Sequence, residues 1–147
     1  MNNLPNNLTR IGLTEAPGQP EINPTSVNAA RRVIRDYVTP GQAYNKNLSS
    51  YGLKHVCERF AGIYIGNGDF IAAMILEGYD YQRKNDKSPN VFFKANLGKL
   101  IRAERKHQEQ FGINVKSENH IQCFLGKDAK LYVKNPVEHD KYSYAVY

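Results

Sequence analysis

Four stretches of the chain hold residues whose types and spacing bear on chemistry. His55 and Glu58 stand three positions apart, so on a helix they share a face, and such a pair can supply two ligands to a metal held between helices. A metal needs a second pair, and His107, His120 and His139 offer none at matching spacing. Cys57 lies two positions from His55, and residues two apart on a helix point in different directions, so the two do not form a thiolate and its base. Gly66-Asn67-Gly68 precedes a helical pattern as a phosphate-cradling loop does, but no lysine follows it and Asp69 opposes a phosphate at that helix end. A helix-entry turn is the better reading. Clustered carboxylates and the histidine pattern of metal-dependent nucleases are absent from the sequence. No catalytic residue, no metal ligand and no cofactor is therefore assigned, and the chain is read as a non-enzyme.

The fourth feature is positive charge. The 147 residues carry a formal net charge of +6, which favours nucleic acid or an acidic protein surface as partner. The excess is uneven. Residues 31–60 hold six basic and two acidic side chains, and 91–110 hold five and two, whereas 1–30 and 61–90 each come out at −1. The candidate nucleic-acid-binding residues are accordingly Arg31, Arg32 and Arg35, then Arg83, Lys84 and Lys87, and finally Lys99, Arg102, Arg105 and Lys106. Arginine suits phosphate because its planar fork meets two oxygens at once. Tyr79, Tyr81 and Phe92 are placed either to stack on bases or to pack against helices, and packing is the commoner use of such strand residues.

These groups must be positioned by a scaffold. Residues 1–25 contain four of the seven prolines and five asparagines without helical or strand period, so they are expected to form an extended N-terminal arm. It would lie over its own domain or grip a neighbour through Leu4, Leu8, Ile11 and Leu13. Residues 26–147 are expected to form a single globular α+β domain, a length sufficient for a real core. A first helix capped by Thr25 or Ser26 buries Val27, Ala30, Ile34, Tyr37 and Val38 and ends at Thr39-Pro40-Gly41. A polar loop, 41–49, leads to a second helix capped by Ser49 or Ser50, burying Leu53, Val56, Cys57 and Phe60, with Lys54, His55, Glu58 and Arg59 outward or at the boundary. Cys57 is expected as a buried free thiol. After Gly62 and an extended Ile63-Tyr64-Ile65, Asn67 caps a third helix that is apolar on nearly every side and ends at Gly78. A β-hairpin follows, 79–83 and 91–94 around a polar tip 84–90, then a fourth helix capped by Asn96 and ended by Gly112. Short C-terminal antiparallel strands are expected at 113–115, 120–125, 130–133 and 142–147.

The longest apolar run, Phe70 to Leu76, is far short of a membrane span, and the N-terminus lacks the basic start and apolar stretch of a secretory signal. With only two distant cysteines, Cys57 and Cys123, a cytoplasmic protein is expected. The phrases SYGLKH, YIGNGDFIAAMILEGY and SPNVFF resemble a module of small phage and plasmid proteins; the resemblance implies a mobile-element protein and carries no activity with it.

The order of elements, a helical core of three to four helices with a hairpin behind it, is winged-helix-like, the hairpin tip being the wing. The third helix is the wrong charge for reading bases: residues 68–77 contain two acids and no Arg, Lys, Asn or Gln. The leading expectation is a small DNA-binding, regulatory protein whose contacts come from the ten basic residues above. The alternative is a protein–protein interaction module, such as an inhibitor of a host or defence protein or a component of a virion or assembly. Self-association through the N-terminal arm or the C-terminal strands is compatible with either.

Overall fold

The computed structural model describes residues 4–111. The expected strands at 113–115, 120–125, 130–133 and 142–147, the helix end at Gly112, and Cys123, His120 and His139 lie outside the described residues.

The first helix, α1 (Pro24–Tyr37), begins earlier than its sequence suggests. Asn23, and neither Thr25 nor Ser26, is the cap: its side-chain oxygen accepts from the backbone N–H groups of Thr25 and Ser26. Pro24 then stands at the first helical position, where its missing N–H costs nothing. The apolar stripe falls as expected, with Val27, Ala30, Ile34 and Val38 buried and Tyr37 half-buried. The chain does not enter a loop at residue 41. Thr39–Tyr44 is a strand, β3, which Pro40-Gly41 disguises in the sequence. A proline is tolerated there because β3 lies at a sheet edge and needs to donate on one side only.

Helix α2 (Ser50–Ala61) starts after Ser49, but neither serine caps it with its side chain: Ser49 makes no capping bond and the Ser50 hydroxyl accepts from Val91 N–H, while the helix closes on Gly62 at φ 75°. Helix α3 (Asn67–Leu76) starts from Gly66, with Asn67 as its first residue and not its cap. Its orphan N–H at Gly66 is satisfied by Asp69, whose Oδ2 accepts at 2.8 Å. It is buried around its circumference from Asn67 to Met74, and Gly78 at φ 93° ends it as expected, with Tyr79 N–H bonding back to Met74.

The hairpin is present as β4 (Tyr81–Arg83) and β5 (Val91–Asn96), in the register Tyr81↔Phe93 and Arg83↔Val91. β3 pairs antiparallel on the other side of β5, giving a three-stranded sheet in the order β3-β5-β4. The inward face of β5 carries Val91, Phe93 and Ala95, all buried, and Phe93 meets Phe70 of α3 edge-on at 5.9 Å between ring centroids. α4 (Gly98–Phe111) follows, with Asn96 accepting from Gly98 N–H and with Leu97 and Leu100 buried.

Residues 8–13, expected to have no strand period, form a small second sheet: β1 (Leu8–Thr9) pairs antiparallel with β2 (Gly12–Leu13). This hairpin sits on the start of α3. Gly68 N–H donates to Arg10 O at 2.8 Å, and a Cβ built on Gly68 would stand 1.6 Å from Thr9 O, so only glycine allows that approach. Leu13 is buried, Leu4 and Leu8 pack on the core, and Ile11 remains exposed. The architecture is thus mixed α+β: among the described residues, four helices and two small antiparallel sheets.

Candidate functional site

The polar face of α2 departs most from its expected place. Lys54, Glu58 and Arg59 do not face outward; they are 4%, 0% and 6% exposed. Glu58 is the hub. Its Oε2 accepts from Ile65 N–H at 3.0 Å and from Lys54 Nζ at 3.5 Å, and its Oε1 lies 3.0 Å from His55 Nδ1. The His55–Glu58 spacing that suggested metal ligands is thus an internal contact. Burial pushes the Lys54 ammonium below its ordinary pKa, the attraction of Glu58 opposing this only in part. Arg59 reaches across to Glu104 of α4, whose carboxyl is raised by burial despite that partner. Cys57 is fully buried and its thiol is pushed well up by desolvation, so it is an inert free cysteine.

A second buried carboxylate, Asp69, fixes the turn before α3. It accepts from Arg10 Nε at 2.9 Å, from Asn23 N–H at 2.7 Å and from Gly66 N–H. Arg10 also donates to Ser26, whose hydroxyl donates to Tyr64 O. Three chain segments far apart in sequence are tied here by one carboxylate.

Above these two acids opens a cleft of about 630 Å³. Tyr51, Lys54 and His55 of α2 form one wall; Arg10 and Ile11 of the N-terminal hairpin and Tyr64 before α3 form another. Pro89 and Asn90, from the tip of the β4–β5 hairpin, close one end. The Lys54 ammonium stands 4.4 Å from the centre of the Tyr64 ring and 5.7 Å from that of Tyr51, and the Arg10 guanidinium lies 5.1 Å from Tyr64.

The ten basic residues singled out from the sequence are not brought together. Arg31 and Arg35 converge on Glu77 at the end of α3, at 2.6 and 3.0 Å. Burial alone would raise the Glu77 carboxyl, but the bonds from Arg35 and Arg31 outweigh it and hold the pKa below its ordinary value. Arg83 bonds to Ser88 O and Leu13 O, so it secures the hairpin tip to the N-terminal segment. Lys84 and Lys87 are exposed on that tip. On α4, Lys99, Arg102, Arg105 and Lys106 are all exposed. At 3.6 residues per turn Lys99, Arg102 and Lys106 fall within about 60° of one another and Arg105 borders them, opposite buried Leu100 and His107. Arg32 of α1 is exposed but lines a different surface, a groove shared with Asp36, Phe60 and His107, while Lys99 lies 5.9 Å from the ring of Tyr37. The stacking candidates Tyr79, Tyr81 and Phe92 are half-buried, Tyr79 and Tyr81 pack against the core, and Tyr79 Oη donates to Val38 O.

The sequence reading missed Arg10, Tyr51 and Tyr64 altogether. No local pattern marks them, because the cleft exists only once the N-terminal hairpin has docked. Comparison of the chain with models of protein families, with curated proteins and with solved structures finds no match.

Among the described residues, no helix is long and apolar enough to cross a membrane.

Proposed function

We propose that the protein is a small nucleic-acid-binding protein of a phage or other mobile element, DNA-binding and regulatory, on a winged-helix-like scaffold. The order α1-β3-α2-α3-β4-β5, with β3 added to the edge of the hairpin, supports that comparison, and residues 84–90 correspond to the wing. The contact surface differs from the usual one. α3 is buried and its start is covered by the β1–β2 hairpin, so it cannot enter a groove.

The observation that carries the reading is the stripe on α4. Lys99, Arg102, Arg105 and Lys106 are exposed along one side of the helix with a single exposed acid, Glu109, among them, and none of the four cations forms an ion pair with another described residue. Such a stripe tracks phosphates and carries no base readout, so binding is expected to depend steeply on salt and weakly on sequence. Lys84 and Lys87 supply a second, smaller contact, while Arg31, Arg35 and Arg83 act structurally. A gel shift with mixed-sequence duplex at low salt tests this. Loss of the shifted band in the K99A/R102A/R105A/K106A chain, with R31A/R35A retaining it, is the expected result; retention by the quadruple variant refutes the proposed surface.

The second reading, a protein–protein module, draws on the same stripe, since an exposed cationic helix face also fits an acidic protein surface. Gripping a partner with the N-terminal arm has less support, because Leu4, Leu8 and Leu13 are already packed on the chain's own core.

A further inference from the structure

The cleft between α2 and the N-terminal hairpin is separate from the α4 stripe and has a composition unlike the rest of the surface. Among the described residues, the exposed large hydrophobic side chains are Ile11, Tyr51 and Tyr64, and all three line this one cleft. Each tyrosine leaves about half its surface open, 53% for Tyr51 and 50% for Tyr64. Scattered exposed apolar residues need no explanation, but their convergence on one concavity marks a binding site.

The charges in the cleft select the ligand. Lys54 and Arg10 reach it, and the two acids that partner them, Glu58 and Asp69, are fully buried beneath. Arg10, with 28% of its side chain open, faces the cleft, Lys54 lines its floor with only 5% open, and both carboxylates are inaccessible. Lys54 gives Glu58 only a long contact of 3.5 Å, and Arg10 spends its Nε on Asp69 and one Nη2 hydrogen on Ser26, which leaves N–H groups on both side chains for an anion. The Lys54 ammonium lies within 5.7 Å of both tyrosine ring centres, so an anionic group at Lys54 and a flat apolar group against a ring are reached by one small molecule. The Tyr51 ring packs edge-on against His55 at 4.7 Å between centroids. A volume of about 630 Å³ admits a molecule of that size.

We propose that this cleft binds a nucleotide unit, a planar base carrying a phosphate, with the base against Tyr51 or Tyr64 and the phosphate at Lys54 and Arg10. The unit is either a free mononucleotide or one terminal nucleotide of a strand; the recognition chemistry is shared. The proposal does not depend on the α4 stripe.

Isothermal titration calorimetry of the full chain with AMP, adenosine and inorganic phosphate tests it. AMP is expected to bind with a Kd of about 1 mM or tighter and at least about tenfold more tightly than either fragment. Y51A/Y64A is expected to weaken AMP about tenfold or more, while Y51F/Y64F, which keeps both rings, binds as the parent does. Absence of AMP binding by the folded parent chain overturns the proposal, as does an unchanged affinity in Y51A/Y64A. The K99A/R102A/R105A/K106A chain separates this proposal from the duplex-binding reading, because it should bind AMP as the parent does. On that same variant, a 5′-phosphorylated single strand that binds more tightly than AMP assigns the cleft to a strand end, and one that binds no more tightly assigns it to free nucleotides.

Discussion

On α2, Lys54, Glu58 and Arg59 are nearly inaccessible and each is engaged by a partner; on α4, Lys99, Arg102, Arg105 and Lys106 stand in solvent on one stripe. The two helices look alike in sequence, each amphipathic with a charged face of mixed sign. What separates them is what the rest of the chain lays over that face. The outer side of α2 is covered by the segment 63–66, by the N-terminal hairpin and by Glu104 from α4, whereas nothing described covers the stripe of α4. A buried charge must be paired, so Glu58 and Arg59 are fixed in structure and Lys54 shows only an edge to the cleft, whereas the exposed α4 charges are open to a partner.

Removing the hub of the buried set should be the most damaging change. Glu58→Ala leaves Lys54 and Ile65 N–H buried without their acceptor, and is expected to cost about 3–5 kcal/mol in urea unfolding. A cost below about 1 kcal/mol would mean that the α2 charges are solvated after all. Gly68→Ala comes next. Its Cβ displaces Thr9 and the β1–β2 hairpin, at an expected cost of about 1–3 kcal/mol. Proteolysis in the segment 4–22 should accelerate in that variant, and AMP binding should fall with it. Glu77→Gln should matter less, by under about 1 kcal/mol, because Arg31 and Arg35 are partly open to solvent and screened. Its signature is in pH. A carboxyl held below its ordinary 4.5 in the folded state contributes stability that is fully present above that value and disappears as pH falls through the lower folded pKa. Acid unfolding curves of the parent should therefore converge with those of Glu77→Gln below pH 4.5 and separate above it. Smallest of all, each single alanine at Lys99, Arg102, Arg105 or Lys106 should change stability by no more than about 0.5 kcal/mol.

Much of the scaffold was legible because it rests on local signals. The apolar stripes of α1, α2 and α4, the all-round apolar α3, the Gly62 and Gly78 stops and the 84–90 tip follow from period and turn chemistry. The misreadings share a cause, which is long-range contact. β3 is a strand only because β5 offers an edge to Pro40 and Tyr44, and residues 8–13 pair only because α3 gives them a floor. Lys54, Glu58 and Arg59 carry the residue types of an outer face, and no pattern within α2 tells that Ile65 N–H and Glu104 will meet them. The candidate cations were legible as a composition but not as a surface. Arg31 and Arg35 look like Arg32 in the sequence, and Glu77, 42 residues beyond Arg35, separates them from it.

The contrast between α2 and α4 is tested most directly by the salt dependence of duplex binding for the parent chain and the K99A/R102A/R105A/K106A variant. If the α4 stripe meets phosphates, the slope of log Kobs against log salt should flatten by about 0.9 for each phosphate no longer neutralised, roughly 3–4 in all. An unchanged slope in the quadruple variant would contradict the assignment of α4 as the working surface.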